Sequence, residues 1–104
     1  MTTLQRRVDD LNAIRRDMTS RLNGVDADIR TRRRPMPELL AEMGRIGDLG
    51  RQALLAIATI RCEHRHLPKP LRARLAQEAA WLTDTTAMAD RYAARAGEAR
   101  GTSA

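Results

Sequence analysis

Two Pro-x-Pro motifs, Pro35-Met36-Pro37 and Pro68-Lys69-Pro70, cut the 104-residue chain into three segments of helical length. Each proline biases the residue before it away from the helical region, while a proline in the first turn of the next helix is well tolerated. The motifs therefore close one helix and open another. Short connections place consecutive helices antiparallel. The expected fold is all-α: an up-down-up three-helix bundle, or a helical hairpin plus a long coiled-coil-like first helix. One domain spans residues 1–104, with helices over about 3–31, 37–65 and 70–96 and a tail over 97–104 that Gly97 and Gly101 introduce. The motifs lie 33 residues apart, but neither segment carries an ankyrin or tetratricopeptide signature, so equal helix lengths account for the spacing.

The first segment has its apolar residues in strict alternation of four and three: Leu4, Val8, Leu11, then Arg15, then Met18, Leu22, Val25 and Ile29. This is a heptad seam, narrower than the stripe of an ordinary globular helix. Thr2 and Gln5 stand at capping-box spacing at its start. Gly24 weakens the helix by about 1 kcal/mol relative to alanine, yet the seam keeps its phase across it, so one continuous helix is expected. The narrow seam and Arg15 favour an intermolecular role, since a polar residue at one core position sets register and oligomeric state. Arg15 snorkelling to solvent is the alternative.

The second segment spreads Leu39, Leu40, Met43, Ile46, Leu49, Ala53, Leu54, Ile57, Ala58 and Ile60 over more than one face and reads as the most buried helix. Gly44, Gly47 and Gly50 recur along it at every third residue, which would let a neighbouring helix backbone come close. The third segment has a seam made largely of alanine, with Trp81, Thr85, Met88 and Tyr92 in a second stripe beside it.

Composition limits what such helices can bury. Leu, Ile, Val and Phe total 19 of 104 residues, with no Phe, so the core is assembled from small side chains. A domain this size buries about 60–70% of its unfolded surface, and so lean a chain is marginal alone. A protein partner, and self-association through Leu4, Val8, Leu11, Arg15, Met18, Leu22, Val25 and Ile29, are therefore expected. No run of 18 apolar residues and no signal-peptide core occur, so a cytoplasmic protein without a membrane span is expected. The single cysteine, Cys62, suits a reducing compartment.

The net charge of +6 comes from 18 Arg and 1 Lys against 13 carboxylates, and it is concentrated. Arg30, Arg32, Arg33 and Arg34 form one cluster, and Arg61, Arg65, Lys69, Arg72 and Arg74 another. Both are candidate phosphate contacts for weak, salt-sensitive nucleic-acid binding. An up-down-up bundle puts them at opposite ends. Cys62, His64 and His66 are metal-ligand types, but helical spacing turns His64 about 200° from the other two, and no metal or other cofactor is expected. No glycine-rich phosphate loop, nucleophile with an adjacent base, or paired carboxylates appears, so an enzyme is not expected. The reading is a small helical macromolecule-binding protein of adaptor or regulatory type. The alternative is a nucleic-acid-binding accessory protein using its arginines.

Overall fold

The computed structural model describes residues 2–102, with side chains through Arg95, as three α-helices and no strand among the described residues. They are α1 (Thr3–Thr31), α2 (Met36–Glu63) and α3 (Lys69–Thr102). Thr2 caps α1 by accepting from the Gln5 amide at 3.1 Å, while the Gln5 side chain donates forward to Asp9 instead of closing a capping box. α1 passes Gly24 without a break, as its unbroken seam predicts. It ends where Arg32 turns into the left-handed region, φ 54°, with the Arg32 and Arg33 amides both donating to the Asp28 carbonyl. Two ends differ from expectation. α2 stops at Glu63 because His64 is extended, and α3 continues through Gly97 as far as Thr102. Glycine permits a helix end but does not impose one, and neither a proline nor a left-handed residue interrupts α3 there.

Side-chain pairs fix the topology. Arg7 meets Glu63 and Arg21 meets Glu42, so α1 and α2 are antiparallel. Gly44 faces Ala93 and Gly50 faces Thr86, so α2 and α3 are antiparallel too. α2 packs along both neighbours and supplies much of the core: Leu39, Met43, Ile46, Ala53, Ile57 and Ile60 are buried. From α1 come Val8, Leu11, Met18 and Val25, and from α3 Leu75, Leu82 and Ala89.

The glycines of α2 are a packing surface. A Cβ at Gly47 would lie 2.6 Å from Asp90 Oδ1, and one at Gly50 would collide with Thr86 Oγ1 and stand 3.1 Å from Thr86 Cβ. Rotating the threonine relieves the first Gly50 clash but not the second, so the two helix backbones would have to separate. Gly24 faces no atom within 4 Å.

These glycines predict opposite outcomes for one substitution. Gly24→Ala should raise stability by up to about 1 kcal/mol through helix propensity. Gly50→Ala gains the same propensity but forces an overpacked contact that typically costs about 1–3 kcal/mol, so its melting temperature should fall. Most of that fall should vanish in a Thr86→Gly background. Thermal unfolding of the four variants checks this.

Candidate interaction groove

α1 and α3 run parallel on either side of α2 and are tied together at one level only among the described residues. Arg74 donates to Asn12, and Arg15 Nε donates to Glu78 Oε2 at 3.0 Å. The Arg15 guanidinium also lies over the Trp81 ring, 3.4 Å from its centroid. Stacking on a partly desolvated indole adds a cation–π term to the ion pair. Past Met18 no comparable tie joins the two helices among the described residues, and a groove of about 610 Å³ opens between them. Its α1 wall is Leu22, Val25 and Ile29, its floor Leu39, Leu40 and Met43 of α2 with Met36 at its mouth, and its α3 wall Met88 and Tyr92. Asp26 and Arg95 are the polar residues lining it. Ile29 is 53% exposed, Met36 58% and Tyr92 40%. Three of the four large apolar side chains exposed among the described residues therefore border one groove, and the fourth, Leu55, does not.

An ionic clamp ties α1 to α2 at Glu42, next to the floor residue Met43. Glu42, only 6% exposed, accepts from Arg21 at 2.7 Å and from Arg45 at 2.8 Å. The Arg21 hydrogen bond, with Arg45 in support, outweighs the effect of burial and holds the Glu42 carboxyl below the usual carboxylate range. Glu42 and Asp17 together raise the Arg21 guanidinium. The sequence reading missed Glu42. Its signal was present, since it stands at core spacing from Leu39 and Ile46.

The expected sites fare differently. Most of the seam expected to join two copies is used inside the chain: Val8, Leu11, Met18 and Val25 are buried, and Leu4 and Leu22 pack against them. Ile29 stands out from that packing. Arg15 does not snorkel free: it is engaged within its own chain by the Glu78 carboxylate and the Trp81 ring. The physical reason is that a helix antiparallel to α2 can present a narrow seam to α2 as readily as to a second copy.

The arginine clusters lie at opposite ends of a molecule 53 Å long. In the first, Arg30 pairs with Asp26 and Arg34 with Asp28, and Arg32 and Arg33 have no ion-pair partner among the described residues. The second splits as well. Arg74 bonds to Asn12, whereas Arg61, Arg65 and Arg72 line a separate small cavity that Lys69 does not reach. Cys62 and His66 are exposed, His64 is half-buried, and no group of three metal-type ligands forms among the described residues. No described helix is long and apolar enough to cross a membrane.

The Glu42 clamp gives a pH signature. A carboxyl held below its unfolded value of about 4.3 adds stability that is complete above that pH and is lost as pH falls through the folded value. Glu42→Gln should lower stability near pH 7, by about 1.5–3 kcal/mol if it loses what a hydrogen bond to a charged group contributes. As pH falls below about 4.3 and on through the lower folded value, the variant and the parent should converge in denaturant unfolding.

Comparison with known proteins adds no identity: no family model matches the chain, nor does any curated protein or solved structure match it significantly.

Proposed function

We propose that this chain is a non-enzymatic helical adaptor that binds a short amphipathic helix of a protein partner in the groove between α1 and α3. The observation that carries this reading is the concentration of exposed Ile29, Met36 and Tyr92 around one apolar slot. Leu22 to Ile29 on α1 and Met36 to Met43 on α2 each span residues seven apart, about 10 Å of helix axis, which matches two turns of a docked helix. A small molecule is a poorer occupant, because ligand pockets enclose most of their ligand and these walls are half exposed. Met36, Met43 and Met88 give the lining the adaptability common at surfaces that accept helices.

Charge distinguishes the partner from a second copy. Arg91 and Arg95 stand on the α3 side, and Arg32 and Arg33 follow Ile29 at the end of α1. Glu38 faces away by helical spacing, and Asp26 is engaged by Arg30. Two copies of a +6 chain meeting at these edges would repel, whereas an acidic helix would be attracted and steered in.

The test is titration of the isotope-labelled protein with a designed acidic amphipathic helix and with its scrambled-order control, alongside sedimentation across a concentration range. Backbone shifts confined to residues lining the groove are expected for the patterned peptide alone. Ile29→Glu should weaken that binding at least about tenfold, equivalent to about 1.4 kcal/mol, while changing stability by less than about 0.5 kcal/mol. Equal binding of the scrambled peptide would overturn the reading. A dimer that Ile29→Glu dissociates would replace the partner helix by a second copy.

A further inference from the structure

The opposite end of the bundle carries a second, chemically different cavity. It measures about 280 Å³, lies at the α2–α3 connection and is lined by Arg61, His64, Arg65, Leu67 and Arg72. The three guanidiniums have no ion-pair partner among the described residues, although seven arginines elsewhere in the chain are paired with carboxylates. Glu63, the nearest carboxylate in sequence, is engaged by Arg7. Three like charges around one concavity repel one another unless something neutralises them.

Two further observations point the same way. His64 lines the cavity, and its Nε2, turned away from solvent, has no hydrogen-bond partner among the described residues. The first turn of α3 contains Lys69 and Arg72 and no acidic residue. Cations at the positive end of a helix dipole are unfavourable, and the same place favours an anion. Arg61 and Arg65 would be explained as dipole partners at the end of α2, but Arg72 has no such explanation.

We propose that this cavity binds a compact, multiply charged phosphoryl group: pyrophosphate, or the terminal phosphate monoester of a larger molecule. Its volume lies just below the range of about 300–1,000 Å³ typical for drug-sized ligands, so it admits the phosphoryl group and leaves the remainder of a larger ligand outside. Guanidinium forks match phosphoryl oxygens in geometry. Leu67, buried beneath, holds the connection in place. This site is independent of the groove.

The experiment is calorimetric titration of the full chain with pyrophosphate and with sulfate at matched ionic strength, with the His64 and His66 imidazole resonances followed in parallel. Pyrophosphate should bind at least about tenfold tighter than sulfate and move the His64 resonances while leaving exposed His66 nearly unmoved. Arg61→Gln and Arg72→Gln, both exposed in the parent, should each weaken binding by about tenfold or more with unchanged circular dichroism. Pyrophosphate binding no tighter than sulfate, or undiminished in both variants, overturns the proposal. A second arm compares a 5′-phosphorylated oligonucleotide with its 5′-hydroxyl twin. Preference for the phosphorylated strand that Arg61→Gln abolishes assigns the group to a terminus. Selective pyrophosphate binding with no such preference assigns it to a free oxyanion. Equal binding of both strands that Arg61→Gln leaves unchanged, without selective pyrophosphate binding, overturns the proposal in favour of diffuse electrostatics.

Discussion

The close contact between α2 and α3 at Gly47 and Gly50 is the constraint on which the rest of the molecule depends. A chain with no Phe and few branched apolar residues cannot fill a wide interhelical space. It compensates by narrowing that space until small side chains suffice. At Gly50 the Thr86 side chain lies where a Cβ would be, and at Gly47 the Asp90 carboxylate does, held by Arg51 at 2.9 and 2.8 Å. The buried Thr86 hydroxyl has no hydrogen-bond partner, whereas the hydroxyls of Thr59 and Thr83 donate to the carbonyl four residues back. The tight fit thus carries a local polar cost, of about 1–3 kcal/mol for an orphaned group. Close packing along the rest of the helix pair offsets it.

That hairpin dictates what α1 can do. With α2 committed to α3 at Gly47 and Gly50, α1 packs on the adjoining face: its buried seam shares one core with Met43, Ile46, Ile57 and Ile60, and Met18 Cε comes within 3.4 Å of where a Gly50 Cβ would stand. It reaches α3 only through long side chains at the level of Asn12 and Arg15. Toward the α1–α2 turn, Leu22, Val25 and Ile29 of α1 stand across from Met88 and Tyr92 of α3, and the groove remains between them. Beside it the Arg21–Glu42 ion pair ties α1 to α2, with Arg45 of α2 on the same carboxylate. An open apolar groove is therefore left at one end of the core.

Much of the fold was legible because its signals are local. The Pro-x-Pro motifs fixed two connections, the seam carried α1 through Gly24, and the three-residue glycine spacing announced the close approach. The partner of the seam was not legible, because a heptad pattern specifies a helix face and says nothing about which chain covers it. Arg15 shows the same limit. Its ion pair and ring contact join residues more than sixty positions apart, and no pattern along α1 encodes Trp81. The groove was invisible for a related reason: Leu22, Val25 and Ile29 keep perfect phase, but Ile29 has no opposing side chain to bury it. The basic clusters were found by counting, yet pairing of Arg30 and Arg34 on their own helix or turn, and convergence of Arg61, Arg65 and Arg72 on a cavity, depend on where carboxylates fall in space.

The central claim is that α1 is docked on α2 while an apolar groove stays open between α1 and α3. Methyl-labelled methionine NMR with a soluble paramagnetic agent tests it directly, because the methionines sample every layer. Met18 is fully buried, Met43 nearly so at the groove floor, and Met36 is 58% exposed at its mouth. The Met36 methyl should relax strongly, Met88 in the groove wall measurably, Met43 weakly and Met18 not at all. Relaxation of Met18 comparable to Met36 would mean that α1 is not docked. Protection of Met36 and Met88 equal to that of Met18, in dilute protein without any partner, would mean that no open groove exists.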